Sequence, residues 1–264
     1  MSGEHIWGDW LKGVVPIAMN KHNFRAERMY RPGMAPIAGT TIRTGDPLRS
    51  KVRVVCADCN NRWLSGIQSA AKPRLIPLIQ GNRTGLGPAA QLEVATWCAM
   101  ATMTAEFIDR DPNTIAITPD ERTHLMNNRA PPNTGWRIWI ARYQRNKWVP
   151  QWVHFTLPIL GAQDTKGMNP GDFAYPNTQA TTFVVGELFV HVLSSTGYPE
   201  LSARWVWPPR TRVSTLMTQI WPPRESFIAW PPAALTDRDA DLVPAALRNV
   251  IDGASRTMMG RQIF

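Results

Sequence analysis

An α+β fold is what this 264-residue sequence encodes, with a mixed, basic N-terminal segment, a helical middle and an antiparallel, β-rich C-terminal region. Three observations support that reading. Between 60 and 128, apolar residues recur at spacings of three and four, the helical period. From 135 onward, β-branched and aromatic runs ("WRIWIARY", "KWVPQWVHFTL", "TTFVVGELFVHVLSS") are separated by Gly, Pro and Asn, the pattern of strands and turns. Helices and strands are segregated along the chain rather than alternating, which makes the fold α+β.

Residues 6–20 have the make-up of a short helix. The stretch 21–50 is punctuated by Pro32, Gly33, Pro36, Gly39, Gly45 and Pro47 and reads as a loop. "KVRVV" (51–55) is β-branched and reads as a strand. "NNRWLSGIQSAA" (60–71) sets Trp63, Leu64, Ile67 and Ala71 at helical spacing, with Asn60 or Asn61 as its cap, and "PRLIPLIQG" comes next. Leu92, Ala95, Ala99, Met103 and Phe107 mark a helix near 89–109, with Cys98 on its apolar face as a core thiol. "TPDE" (118–121) is a capping box with Pro119 at the first helical position and Glu121 at the third, so a short helix runs to about Asn128. Trp136, Trp139, Trp148 and Trp152 on the strands suit the core better than base stacking. Trp-Pro-Pro occurs at 207–209, 221–223 and 230–232, read as rigid turns on the sheet or, alternatively, as an aromatic groove for a partner. The tail 233–250 is helical in character. The expected division is 1–72, then a helical segment 73–130, then a Trp-rich β domain 131–264.

Three cysteines are too few, and odd in number, for a disulfide scaffold, which points to a reducing, cytoplasmic setting. The start, with Glu4, His5 and Asp9 ahead of any apolar run, is not a secretory signal. The stretch 92–108 is short for a membrane span and carries Glu93 and Glu106, so no membrane partner is expected. The net charge of +9 is unevenly placed. Residues 1–80 hold 12 Lys and Arg against 5 Asp and Glu; residues 81–264 hold 17 against 15. A basic N-terminal third suits a polyanion, phosphate backbones above all, or else is a solvated face that aids solubility.

The chemistry gathers at "VRVVCADCNNRWL" (52–64), where Cys56 and Cys59 form a Cys-x-x-Cys knuckle directly before Asn60 and Asn61. Such a knuckle is half of a tetrahedral zinc site, a redox pair, or two buried thiols. Redox pairs normally succeed a strand in a βαβ pattern, which is missing here. Arg53 and Arg62 flank the knuckle, available to phosphates or to solvent. Ahead of it stands Glu4-His5-Ile6. An acidic residue before a histidine, then a strand, then Cys-x-x-Cys-Asn opening a helix, resembles the order in HNH endonucleases. The likeness is to HNH proteins with Glu-His-(Ile/Val)-Trp and, later in the chain, Val-Cys-x-x-Cys-Asn-Asn-x-Trp. Here those segments are "EHIWGDWL" and "VVCADCNNRWLSGIQSAAKPRLIPLI", and the likeness extends weakly into the later regions.

That resemblance implies an HNH-like ββα-metal, treble-clef-like module over residues 1–72, a β-hairpin packed on a helix and often pinned by Zn²⁺. It implies His5 as general base, and Asn60 (or Asn61) holding Mg²⁺ or a similar divalent cation through an amide oxygen. Glu4 stands where many relatives have a metal-binding Asp. Cys56 and Cys59 become zinc ligands or relics of them. Asn20 and Asn23 are the candidates for the family's central asparagine. In related proteins a first Cys-x-x-Cys precedes the Glu-His segment by a dozen or so residues. Met1 stands three residues before Glu4, so that knuckle and the hairpin's first strand are expected to be absent. Either translation begins upstream or this is a trimmed member with an incomplete zinc site. The implied function is metal-dependent hydrolysis of phosphodiester bonds in nucleic acid, DNA foremost. The alternatives are a decayed HNH fold that binds nucleic acid without cleaving it, and an interaction protein acting through the Trp-rich domain, with an unknown protein partner.

Overall fold

In the computed structural model the described residues are 2–5, 8–15, 22–28, 41–45, 51–108, 115–144, 152–159, 175–203 and 212–247; strands before Lys51 are described by backbone alone. β1 (Ser2–His5) lies antiparallel on β4 (Lys51–Val55), and a 3₁₀ turn (Asp9–Gly13) comes after β1. Between them, β2 (His22–Arg28) and β3 (Thr41–Gly45) form an antiparallel hairpin. The loop expected over 21–50 is therefore corrected in part. His22–Arg28 pairs with the distant Trp152–Leu157 as well as with Thr41–Gly45, and that long-range pairing is what local composition does not reveal.

After β4 the chain turns helical as α1 (Ala57–Cys59), a π turn (Asn60–Leu64) and α2 (Ser65–Gln80). Leu64, Ile67 and Ala71 are buried, as their spacing predicts. The helix does not stop at Ala71, however, and runs through Pro73 and Pro77. Each proline removes a backbone donor and costs about 3 kcal/mol in a helix interior, which burial of Ala71, Leu75, Leu78 and Ile79 offsets. α2 ends at Gly81, left-handed at φ 70°, where the amides of Gly81 and Asn82 donate to the carbonyls of Leu78 and Pro77. A glycine is needed there because a Cβ would be strained in that conformation and would overlap the Glu187 carboxylate.

β5 (Thr84–Leu86) leads into α3 (Pro88–Ala105) and a 3₁₀ turn (Glu106–Ile108). Every side chain of α3 from Val94 onward is buried. α4 (Pro119–Asn128) starts with the capping box foreseen in "TPDE". The Glu121 carboxylate accepts the Thr118 amide (2.8 Å) and hydroxyl (2.9 Å) with one oxygen, and the buried Trp136 indole N–H (2.7 Å) with the other.

β6 (Trp136–Tyr143), β7 (Trp152–Leu157), β8 (Thr178–Val185) and β9 (Leu188–Ser195) form the body of the main sheet. The short elements after them are α5 (Pro199–Ala203), α6 (Val213–Leu216), β10 (Thr218–Trp221), β11 (Ile228–Trp230), β12 (Ala234–Leu235) and a helix α7 over 237–247. The strand order is β10-β6-β9-β8-β7-β2-β3, with β12 also pairing β6. All pairings are antiparallel except β2 with β7 and β12 with β6. β5 and β11 make a separate two-stranded ribbon.

Both faces of the sheet are covered over β6 to β9. One face, with Trp136, Ile138, Ile140, Trp152, Phe183 and Val190, shares a core with α2, α3, Leu11 and Val52. The other, with Trp139, Tyr143, Phe155, Phe189 and Leu193, packs on Val213, Leu216, Ala240, Val243 and Leu247. Trp136, Trp139 and Trp152 are core residues, as read from the strands; Trp148 and Trp207 lie outside the described residues. The chain is mixed α and β, and among the described residues no helix is long and apolar enough to cross a membrane.

Glu121→Ala removes a cap and leaves the Trp136 N–H buried without an acceptor, so it should cost about 2–4 kcal/mol of unfolding free energy. Thr118→Ala, which loses the cap alone, should cost about 1 kcal/mol. Urea titration of both variants checks the order, and equal losses would show that the indole contact contributes nothing.

Candidate functional site

The helix behind β4 is capped by a thiol. Cys56 has extended backbone (φ −75°, ψ 160°), and its Sγ accepts the amide N–H of Cys59 at 3.2 Å. That donated N–H holds the exposed Cys56 thiol below the ordinary thiol range, because it favours the thiolate. Cys59 is half-buried. Cys98, in the middle of α3, is fully buried, and burial pushes its pKa up.

Asn60 and Asn61 open the π turn. A π turn inside an α-helix is rare and shifts the side-chain phase of the turns after it. Here it leaves Asn61 and Ser65 exposed while Leu64 enters the core. Trp63 lies half-buried under the Arg129 guanidinium, 5.4 Å from its ring centroid.

β1 places Ser2 opposite Val55, Glu4 opposite Val52 and His5 opposite Lys51, with an irregular register between Ser2 and Glu4. Ser2–His5 is thus a strand paired to β4, although the hairpin's first strand is expected from the sequence to be absent. Glu4 and His5 stand at the end of the ladder away from Cys56. The chain leaving β1 then meets α2. Gly8 is pressed against Gln68, so that a Cβ there would overlap the Gln68 amide oxygen and the Trp10 indole. Trp10 Nε1 donates to Gln68 Oε1 at 2.9 Å, and Lys72 Nζ sits 5.8 Å from the Trp10 ring centroid.

Between this turn and the helix lies an open cleft of about 390 Å³. Gly8, Asp9 and Trp10 form one wall; Asn60, Asn61, Ser65, Gln68, Ser69 and Lys72 form the other. The Asp9 carboxylate is ion-paired with Lys12. The cleft therefore joins the two asparagines picked out from the sequence to the segment just beyond Glu4-His5. Carboxylate and amide oxygens are the donors that a hard divalent cation takes, so Asp9, Asn60 and Asn61 fit such an ion by chemistry. Among the described residues no three His, Cys, Asp or Glu side chains come together, and the knuckle offers two of the four donors that zinc takes.

Of the other candidates from the sequence, the side chains of Glu4, His5, Arg53 and Asn23 lie outside the described residues, as does Asn20 altogether. Cys56 and Cys59 are not part of the cleft lining. Arg62 is exposed, bonded to Asp58 Oδ1 at 2.6 Å, and also outside the lining. Sequence reasoning misses Asp9, Trp10, Gln68 and Lys72. Gln68 and Lys72 are four residues apart on the polar face of the helix, a signal the sequence does carry. Ending the helix at Ala71, ahead of Pro73, leaves Lys72 off it.

Compared with family models, curated proteins and solved structures, the chain matches none of them.

The thiols give a direct check. Iodoacetamide near neutral pH should modify Cys56 first, Cys59 more slowly, and Cys98 only after denaturation. Peptide mass mapping reads the order, and early labelling of Cys98 in the native protein would contradict its burial.

Proposed function

We propose that this chain is a metal-dependent nuclease that hydrolyses phosphodiester bonds in nucleic acid, DNA foremost, at the cleft between the 8–10 turn and the start of α2. One observation carries the reading. The cleft collects Asn60 and Asn61, which a hard cation can use, beside the chain that emerges from Glu4-His5. His5 serves as general base, its imidazole taking the proton of the attacking water at neutral pH. Asn60 and Asn61, with Asp9, would hold a divalent ion such as Mg²⁺, which when bound supplies positive charge against the charge that develops on the phosphate. Glu4 stands next to the base and takes part in holding the ion or in orienting His5. Arg53 and Arg62 contribute long-range attraction for the phosphate backbone.

A non-cleaving nucleic-acid binder is the second reading, favoured by the Lys12 contact that already engages the Asp9 carboxylate. An interaction role for the Trp-rich region is less well supported, because Trp136, Trp139, Trp152, Trp221 and Trp230 are all buried.

Supercoiled plasmid separates the first two. The wild type should nick it with Mg²⁺ or Mn²⁺ and not with a chelator, and His5→Ala should be slower by at least about 100-fold while still binding DNA. Equal nicking by both proteins would remove His5 from the mechanism. Binding without nicking by the wild type would select the second reading.

A further inference from the structure

Lys72 differs from its neighbouring cations. Arg62 is bonded to Asp58 at 2.6 Å and Arg74 to Glu93 at 3.0 Å. Lys72 is exposed and has no ion pair among the described residues; its neighbour is the Trp10 ring. A cation held near an aromatic face keeps its N–H donors available while its position is narrowed. Trp10 is itself fixed, by packing on the core and by the 2.9 Å hydrogen bond to Gln68.

Lys72 also ends a stripe. Asn61, Ser65, Ser69 and Lys72 all line the cleft and are exposed, and the first three make no side-chain hydrogen bond among the described residues. Asn61 and Lys72 both line the cleft, so the two ends of the stripe face the same way, roughly 16 Å apart along the helix axis. The result is an open groove with hydroxyl and amide donors along it and one ammonium at its end. Such a groove has no closed end to define a small ligand; it suits a repeating anion. A nucleic-acid strand carries a phosphate at every nucleotide, so a stripe of about 16 Å reaches past one phosphate to others along the strand.

We propose that the Asn61–Ser65–Ser69–Lys72 stripe is a track for the phosphodiester backbone of one nucleic-acid strand. Lys72 holds a phosphate a few nucleotides along the strand from the one at Asn60 and Asn61, and Trp10 positions the Lys72 ammonium. This rests on the nuclease reading and extends it to the substrate, which must be a polymer that reaches past the cleavage point and not a mononucleotide.

The test uses the full chain, fluorescently labelled 20-base-pair DNA and anisotropy titrations between 50 and 200 mM salt. Lys72→Ala should lower the slope of log affinity against log salt by about one and weaken binding about eightfold at 0.1 M salt. Arg74→Ala, on the same helix but paired with Glu93 and outside the cleft, should keep wild-type affinity and slope. Wild-type binding by Lys72→Ala would overturn the track while leaving the nuclease reading intact. An equal loss in both variants would also overturn it, by showing only a general dependence on charge. A wild type that binds no DNA at any salt would overturn the nuclease reading, and the track with it.

Discussion

Helix α3 is apolar on nearly every side, and such a helix is stable only where all its faces can be covered. α2 covers one side through Ile67, Ala71, Leu75 and Leu78; the sheet covers another through Trp136, Ile138, Phe183 and Val190; Leu11 and Val52 close the same core from the N-terminal segment. Once the sheet has one face on α3, its other face is equally apolar and needs its own cover, which α6 and α7 supply. The three layers arise from that sequence of demands. The site arises from it too. Because α2 commits its apolar face to α3, its polar face, with Ser65, Ser69 and Lys72, is left to solvent and, with Asn61 of the π turn, becomes one wall of the cleft.

Where α3 ends, a charge goes into the interior and is matched on several sides. Glu106 is fully buried, and its carboxylate accepts the amides of Ala116 (2.6 Å) and Ile117 (3.2 Å) and the Arg122 guanidinium (2.5 Å). His154 Nε2 stands 3.6 Å away, and its Nδ1 is 2.7 Å from the Thr181 hydroxyl. Burial lowers the Arg122 pKa and Glu106 opposes that shift, so the pair is held by mutual compensation rather than by a large net gain. What the network does supply is direction: it fixes α4 against the end of α3 by giving the buried Glu106 carboxylate the Arg122 guanidinium and two backbone amides. His191 meets the same interior differently. Burial pushes its pKa down to about 3, so it is neutral in the folded protein, bonded to the Thr182 hydroxyl at 2.8 Å. Between the ordinary imidazole pKa and that value, the unfolded chain binds a proton that the folded one does not, so this residue removes stability as pH falls from about 6.5 toward 3.

What can be read from the sequence is what short stretches decide for themselves. The "TPDE" cap, the β-branched "KVRVV" strand and the buried period of Leu64, Ile67 and Ala71 all depend on near neighbours. The helix through Pro73 and Pro77 is not legible, because local propensity argues against it and only tertiary burial overrides that. β2 is not legible either. It is a strand because β7, some 130 positions later, lies parallel beside it, with Phe24 opposite Trp152. The site divides the same way. Asn60 and Asn61 stand behind a recognisable knuckle, whereas Trp10, Gln68 and Lys72 gain meaning only when the turn after β1 meets α2.

The two walls of the cleft are joined by a short path of paired backbone. His5 is tied to Lys51 by the β1–β4 ladder; from Lys51 the chain runs through four more residues of β4 to Cys56, and from there to Asn60. The one junction on this path not held by a strand or a helix interior is Cys56, where the thiol accepts the Cys59 amide and the Asn60 amide donates to the Cys56 carbonyl at 3.0 Å. The knuckle therefore sets the angle at which the asparagines leave the strand, whether or not a metal ever binds its sulfurs. The second tie is at Gly8 and Gln68, on the opposite side of the cleft, where the absence of a Cβ lets the turn approach the helix. With one tie at the start of the helix and another two turns along it, the 8–10 segment and the asparagines are held on a common frame. The base and cation site of the proposed nuclease would need such a frame, because misplacement by about an ångström can cost on the order of a hundredfold in rate.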